Sequence, residues 1–259
     1  MRIPCAYANW KMYKSLPEAL EFVYKFVPAL FRSVKEGTVG ATIFAPAPYI
    51  HPIRKELGDN SPVFIGGQDL YTEKEGAFTG AISGQMLRSA GATHVLVGHS
   101  ERRRLMGDDN VTVARKLKRA LADRLVPVLC VGEKLDEREA GRAKDVVNEQ
   151  LKSAWEGHEV TGGTLIAYEP VWAIGTGKNA TPDDAEDMCK HIRGWMAQAF
   201  TPETAASIRI LYGGSVTPEN VSAYMKLPDV DGALVGGASL DPDKFLEIAK
   251  AIAARGGGK

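Results

Sequence analysis

Thr164-Leu165-Ile166-Ala167-Tyr168-Glu169-Pro170 carries the pattern of the whole chain: a short, almost wholly apolar run broken at once by a carboxylate and a proline. Such a run suits a strand buried on both faces of a parallel sheet, since a strand with one wet face would alternate apolar and polar residues. Working outward, the pattern recurs at Val126 to Val131 and Thr93 to Val97 on one side, and at Ile208 to Tyr212 and Gly232 to Val235 on the other. Toward the N-terminus stand Pro62 to Ile65, Gly40 to Ala45 and a weaker run, Cys5 to Asn9, preceded by Pro4 and diluted by alanines.

Amphipathic, charged segments fill the intervals, and several have legible starts. Ser15-Leu16-Pro17-Glu18, Thr181-Pro182-Asp183-Asp184, Thr217-Pro218-Glu219-Asn220 and Asp241-Pro242-Asp243 each offer a capping side chain, a proline for the first turn and an acid for the positive helix end. Strand, helix, strand at these intervals implies repeated right-handed βαβ units, and eight of them in about 250 residues close a barrel. The expectation is an α/β fold, a (β/α)8 barrel of eight parallel strands surrounded by helices, with residues 1–259 as a single domain and Gly256 to Lys259 as a frayed tail. A doubly wound open sheet uses the same units, but its dinucleotide fingerprint follows none of the early strands. Gly175-Thr176-Gly177-Lys178 fails as a P-loop, because Trp172 occupies the first glycine position and Asn179 the Ser/Thr position.

Composition narrows the function by exclusion. Thirty-two basic residues balance thirty-two acidic ones, so no global field draws in nucleic acid or an anionic membrane, and an anionic ligand needs a local site. No stretch approaches the roughly 18 apolar residues of a membrane span, and no apolar signal core follows the N-terminus. Cys5, Cys130 and Cys189 are far apart and form no C-x-x-C pair, which suggests neither zinc nor a disulfide framework. The expected setting is cytoplasmic.

In a barrel of this kind the chemistry lies at the C-terminal ends of the strands. The polar residues there are Asn9 and Lys11 after the first run, His99, Ser100 and Glu101 after the fourth, and Glu169 after the sixth. Gly213, Gly214 and Ser215 follow the seventh, and Gly236 and Gly237 the eighth. Singly, each has a bland explanation: a solvated lysine, a structural histidine, a turn acid, glycines that only make turns. Jointly, on one rim, they form a site. The glycine turns and Ser215 can present N–H and O–H groups to a phosphate. A carboxylate base, a donor histidine and a lysine suit proton abstraction beside a carbonyl, where charge grows on oxygen. His99 stands at an expected helix start, whose positive end disfavours imidazolium and leaves a neutral donor.

Asn9-Trp10-Lys11-Met12, Val97-Gly98-His99-Ser100-Glu101-Arg102-Arg103, Cys130-Val131-Gly132-Glu133, Ala167 to Lys178, Tyr212-Gly213-Gly214-Ser215-Val216 and Leu234 to Leu240 together resemble the triosephosphate isomerase family, in its order and from end to end. The resemblance implies a TIM barrel that interconverts dihydroxyacetone phosphate and D-glyceraldehyde 3-phosphate in glycolysis and gluconeogenesis, as a homodimer, with no metal or organic cofactor. It implies Glu169 as the base, His99 as the donor to the enediolate oxygen, and Lys11 and Asn9 on the substrate oxygens. By the same resemblance Gly175, Ser215, Gly236 and Gly237 bind the phosphate, Ser100, Glu101 and Cys130 support the site, and Pro170 to Lys178 form a lid hinged at both ends.

Four positions depart from the family's usual pattern: Tyr13, Asp69, Ala81 and Asp108. All bear on the dimer-forming third loop or its supports, so the doubt they raise is about association. Ala81 in particular replaces a glutamate that in the family meets an arginine, here Arg102, across the interface. Two other readings stay open: an isomerase for another short phosphorylated ketose, and a barrel that only binds or scaffolds.

Overall fold

The computed structural model describes residues 2–157, 163–174 and 180–256. Its strands are β1 (Cys5–Asn9), β2 (Gly40–Ala45), β3 (Val63–Gly67), β4 (His94–Val97), β5 (Val126–Val131), β6 (Leu165–Tyr168), β7 (Arg209–Tyr212) and β8 (Gly232–Val235). They pair in parallel and in sequence order, and β8 closes on β1 with Cys5 opposite Gly232. The helices between them form the outer ring of a (β/α)8 barrel, as the alternating runs predict.

Alternation within each strand explains why the runs look continuously apolar. Cys5, Tyr7, Phe44, Leu96, Val128, Cys130, Leu165, Ala167, Leu211 and Leu234 pack into one buried cluster inside the barrel. Their neighbours, such as Ala6, Ile43, Val97, Leu129, Ile166, Ile210 and Val235, face the helices in a second cluster. Both faces are dry, so apolar residues predominate on each and the few polar ones, such as Thr42 and His94, are buried. At the N-terminal floor Tyr7 meets Phe44 and His94 edge to face at 5.6 and 5.7 Å, and His94 is buried with its Nδ1 2.8 Å from the Thr93 hydroxyl. Burial, helped by the charge of Arg209, lowers the His94 pKa to about 3, so this imidazole is neutral.

Most boundaries fall within two residues of those expected. β3 runs past Ile65 through Gly66 and Gly67, glycines that weaken a strand signal by sequence. A side chain at Gly66 would sit 2.6 Å from the Phe44 ring, so close packing across the barrel requires glycine there. The starts at Ser15, Thr181 and Asp241 open Leu16–Ser33, Pro182–Ala199 and Pro242–Gly256. Glu18 accepts from the Ser15 N–H at 2.6 Å, and Asp184 N–H donates to the Thr181 hydroxyl at 3.1 Å. Thr217 does not start a helix at Pro218. Asn220 accepts from the Thr217 N–H at 2.8 Å and donates to the Ser215 carbonyl at 2.9 Å, holding a turn, and the short helix Val221–Met225 begins only beyond it.

Candidate active site

Continuing the inward alternation of each strand by two residues gives the mouth of the barrel. From Cys5 and Tyr7 it reaches Asn9, and from Leu165 and Ala167 it reaches Glu169. From Cys130, Leu211 and Leu234 it reaches Gly132, Gly213 and Gly236, and from Phe64 and Gly66 it reaches Gln68. The three glycines make room for the others. A Cβ on Gly132 would lie 1.7 Å from the Glu169 carbonyl oxygen, one on Gly213 3.0 Å from Glu169 Cγ, and one on Gly236 3.3 Å from Lys11 Cε. Glu169 is held at main-chain level by its N–H to the Val131 carbonyl at 2.8 Å, and the Gly213 N–H bonds the preceding carbonyl, of Tyr168, at 2.7 Å.

His99 reaches the same mouth by another route. Gly98, at φ +74°, turns the chain off β4, and His99 then caps the helix Ser100–Leu105. Its Nδ1 accepts the Glu101 N–H at 3.2 Å, which places the ring proton on Nε2. Nε2 lies 3.0 Å from Glu169 Oε1 and 3.2 Å from Asn9 Nδ2. The other oxygen of Glu169 accepts the Ser100 N–H at 2.9 Å.

Both partners are buried, and their charges compete with that burial. Burial favours the neutral acid of Glu169, but His99, the Ser100 N–H and Lys11 outweigh it and hold its pKa below the usual carboxylate range. Burial also pulls the His99 pKa down, yet Glu169, with Glu101 behind it, more than offsets that, and the ring's pKa is raised. The expected downward influences on His99 are therefore present but reversed in this arrangement by the adjoining carboxylate. Removing that carboxylate leaves burial, Lys11 and the Glu101 N–H, which favour the neutral ring, against the weaker pull of the Glu101 carboxylate.

Lys11 Nζ pairs with Glu101 Oε1 at 2.7 Å, so Glu101 serves the lysine rather than a neighbouring arginine. Lys11 has φ +51°, a conformation that disfavours side chains, and its N–H bonds Asn9 Oδ1 at 3.0 Å. Gln68 locks this turn: its amide donates to the Lys11 carbonyl at 2.7 Å and the Phe44 carbonyl at 3.1 Å. Sequence reasoning gave Gln68 no role, although the alternation through Phe64 and Gly66 points it inward. Cys130 is fully buried under Glu169, and burial first, with the carboxylate second, pushes its thiol pKa well up. It therefore fills space beneath Glu169 as a neutral thiol.

Gly236 and the 3-10 turn Gly237–Leu240 follow β8, and half-buried Ser215 follows β7 on the adjoining strand. Gly175, and Thr176 to Lys178 of the expected second hinge, lie outside the described residues. The expected first hinge, Pro170-Val171-Trp172, overlaps a 3-10 turn, Val171–Ala173, and the Trp172 indole donates to Glu133 at 2.8 Å. Tyr168 donates to the same buried carboxylate oxygen at 3.1 Å, and the Val171 N–H to the Glu133 carbonyl at 3.1 Å.

A cleft of about 830 Å³ runs from Asn9, Lys11 and His99 out to Tyr71, Ala81, Arg102, Leu105 and Met106. Three of the four departures from the family pattern, Asp69, Ala81 and Asp108, line it. Arg102 Nε lies 3.0 Å from Asp69 and 3.1 Å from Asp108, and the buried Lys116 ammonium lies 2.7 and 2.6 Å from the same two carboxylates. Arg102 is thus paired within its own chain and is not left alone by the alanine at position 81. Burial raises the Asp69 pKa despite both cations. Asp108 also pays for burial, but Lys116 and Arg102 more than compensate and its pKa falls.

Comparison with known proteins agrees with this geometry. A sequence model of triosephosphate isomerase matches residues 4–252. The triosephosphate isomerase of Symbiobacterium thermophilum is 47% identical over 255 residues, covering 98% of both chains. That of Roseiflexus castenholzii is 46% identical over 250 residues, with 96% of this chain and 97% of the relative covered. That of Carboxydothermus hydrogenoformans is 45% identical over 252 residues, with 96% and 99% covered. With a closed eight-stranded parallel barrel and a carboxylate, an imidazole and a lysine gathered at its mouth, this chain belongs to the triosephosphate isomerase family, isomerases of glycolysis that interconvert dihydroxyacetone phosphate and glyceraldehyde 3-phosphate.

Proposed function

We propose that in this chain Glu169 and His99 perform the family's proton transfers at the mouth of the barrel. The observation that carries the reading is their placement: a buried carboxylate and an imidazole Nε2 at 3.0 Å, with Asn9 and Lys11 lining the same opening. Glu169 takes the proton from the substrate carbon beside the carbonyl, and the electron pair moves onto oxygen to form an enediolate. The Nε2–H of His99 and the Asn9 amide donate to that oxygen, and the Lys11 ammonium offsets its charge. His99 gives its Nε2 proton to that oxygen and takes up the proton of the neighbouring hydroxyl, and Glu169 returns its own proton to the carbon that bore the carbonyl, so that the carbonyl re-forms on the neighbouring carbon and the aldose–ketose exchange is complete. A carboxylate base beside a neutral imidazole is this family's own well-known pairing.

The starting arrangement serves that chemistry. While Glu169 rests on His99 it is ionised and ready to accept a proton. Once it turns to the substrate, the main cause of the raised His99 pKa leaves with it, and the ring donates as a neutral group. The phosphate is held by Ser215, Gly236, Gly237 and Gly175, and Pro170 to Lys178 cover it and exclude water. No metal or organic cofactor takes part.

The chain works as a single-domain barrel in the cytoplasm and as a homodimer. Supporting the dimer is an apolar rim around the outer cleft, where Met12, Tyr13, Ile82, Leu105 and Met106 are exposed by 94%, 57%, 37%, 62% and 65%. So much apolar surface in one region marks an association site. A coupled assay with glyceraldehyde 3-phosphate tests the whole reading. Turnover should be present in the parent and fall at least about 1000-fold in Glu169→Gln, which keeps the shape but removes the base. Equal turnover in the two would defeat it.

A further inference from the structure

The turn that carries Lys11 is tied to the turn after β8 by groups the mechanism above does not use. Lys14 stands at φ +71°, in the left-handed region where glycine is at ease and a long side chain is not. Its ammonium donates to the Leu240 carbonyl at 2.7 Å and lies 5.3 Å from the Trp10 ring centroid and 5.2 Å from that of Phe22. The Trp10 indole donates to the adjacent carbonyl, of Ser239, at 3.1 Å. Two donors from the first loop therefore cap the C-terminal carbonyls of the 3-10 turn Gly237–Leu240, while Gly236 at its other end lies against the Lys11 side chain.

We propose that Lys14 is a positioning residue for phosphate binding: it fixes the far end of the Gly237–Leu240 turn so that the amides of Gly236 and Gly237 stand in register with Lys11. The inference rests on the reading of Gly236 and Gly237 as phosphate ligands. A cation at the carbonyl end of the turn matches the direction of its peptide dipoles, and the two aromatic faces hold the ammonium in place. The ammonium's hydrogen bond is to a carbonyl of the turn, with the two rings and the charges of Glu18, Asp241 and Glu21 around it, so its effect reaches the ligand through the turn. A strained backbone held by these contacts is what a positioning role requires.

The test compares Lys14→Met, Lys14→Gly and Lys14→Arg in the full-length enzyme, with inorganic phosphate as a competitive inhibitor of glyceraldehyde 3-phosphate turnover. In Lys14→Met, the phosphate Ki and the substrate KM should rise together by about fivefold or more, while kcat stays within about threefold. Lys14→Gly, which also relieves the backbone, should show the same loss, and Lys14→Arg, which keeps the charged donor, should recover most of it. Unchanged Ki and KM in both Met and Gly variants would overturn the proposal. So would a glycine variant restored to parental values, since the methionine effect would then be strain alone. A parent enzyme that phosphate does not inhibit competitively would instead overturn the phosphate-site reading beneath it.

Discussion

Glu169 and His99 face each other across 3.0 Å, both buried, with the Ser100 N–H fixing the outer oxygen of the carboxylate and the Glu101 N–H fixing the inner nitrogen of the ring. Each group is thus held from behind by one backbone donor of the same helix start. In the proposed reaction Glu169 gives up these contacts to reach the substrate, while the ring keeps the tautomer that donates from Nε2.

Shortening the base tests how far that geometry matters. Glu169→Asp should fold normally, because the main-chain bond to Val131 and the clearance provided by Gly132 do not involve the side chain. Its carboxylate would fall short by about 1 Å, which can cost on the order of 100-fold in kcat. Steady-state turnover of glyceraldehyde 3-phosphate, with circular dichroism as the fold control, checks this. Activity within a factor of two of the parent would remove Glu169 from the role of base.

His94 sets a pH dependence of stability away from the active site. Its folded pKa of about 3 lies below the roughly 6.5 of an unfolded chain, so on acidification the unfolded state takes up the proton first. The contribution is fully present above about pH 6.5 and is lost as pH falls from there toward 3, at about 1.4 kcal/mol per unit. Between pH 7 and pH 5 the parent should therefore lose about 2 kcal/mol more than His94→Gln, measured by urea unfolding at one protein concentration. Equal losses would show that His94 titrates in the fold as it does unfolded.

Lys116 and Asp108 are the buried members of the four-charge cluster, and the Lys116 ammonium lies 2.6 Å from Asp108 and 2.7 Å from Asp69. Lys116→Met leaves two carboxylates to share Arg102 and should destabilise the fold by about 3–5 kcal/mol. Adding Asp108→Asn should recover at least half of that, since the uncompensated charge is removed. Additive losses in the double variant would show that the pair does not act as one unit.

Association should depend little on salt. With Arg102 satisfied by Asp69 and Asp108 in its own chain, the proposed dimer relies on apolar burial around Met12, Tyr13, Leu105 and Met106. An exposed cross-interface ion pair would add only about 0–1 kcal/mol in any case. Sedimentation over a dilution series at low and high ionic strength should show the same dimer. An active monomer at micromolar concentration, or dissociation on adding salt, would contradict this.

Where sequence reading went astray, it did so for local reasons. It ended β3 early because Gly66 and Gly67 carry no strand signal, and their place in the strand depends on Phe44 and Leu87 filling the space beside them. It placed a helix start at Thr217 because the Thr-Pro-Glu spacing is right, whereas Asn220 takes the Thr217 N–H and holds a turn. It gave Arg102 no partner beyond the glutamate that Ala81 replaces, because nothing in the one-dimensional pattern brings Asp69, Asp108 and Lys116 together.

The amino-acid sequence by itself determined the strand–helix alternation, the closed count of eight strands and the residue types at the strand ends, because burial on both faces and the period of two are local properties of each run. That is why Asn9, Glu169, Gly213 and Gly236 could be placed at the mouth before any contact was known. Only the tertiary structure decided that Glu169 rests on His99 and reverses the expected direction of its pKa, that Gln68 locks the Lys11 turn, and that Lys14 reaches Leu240. Lys14 and Leu240 are 226 residues apart in the chain, and Glu169 and Ser100 are 69 apart. Contacts of that kind follow from barrel closure and from the balance between burial and nearby charge, and both depend on distances that no local pattern encodes.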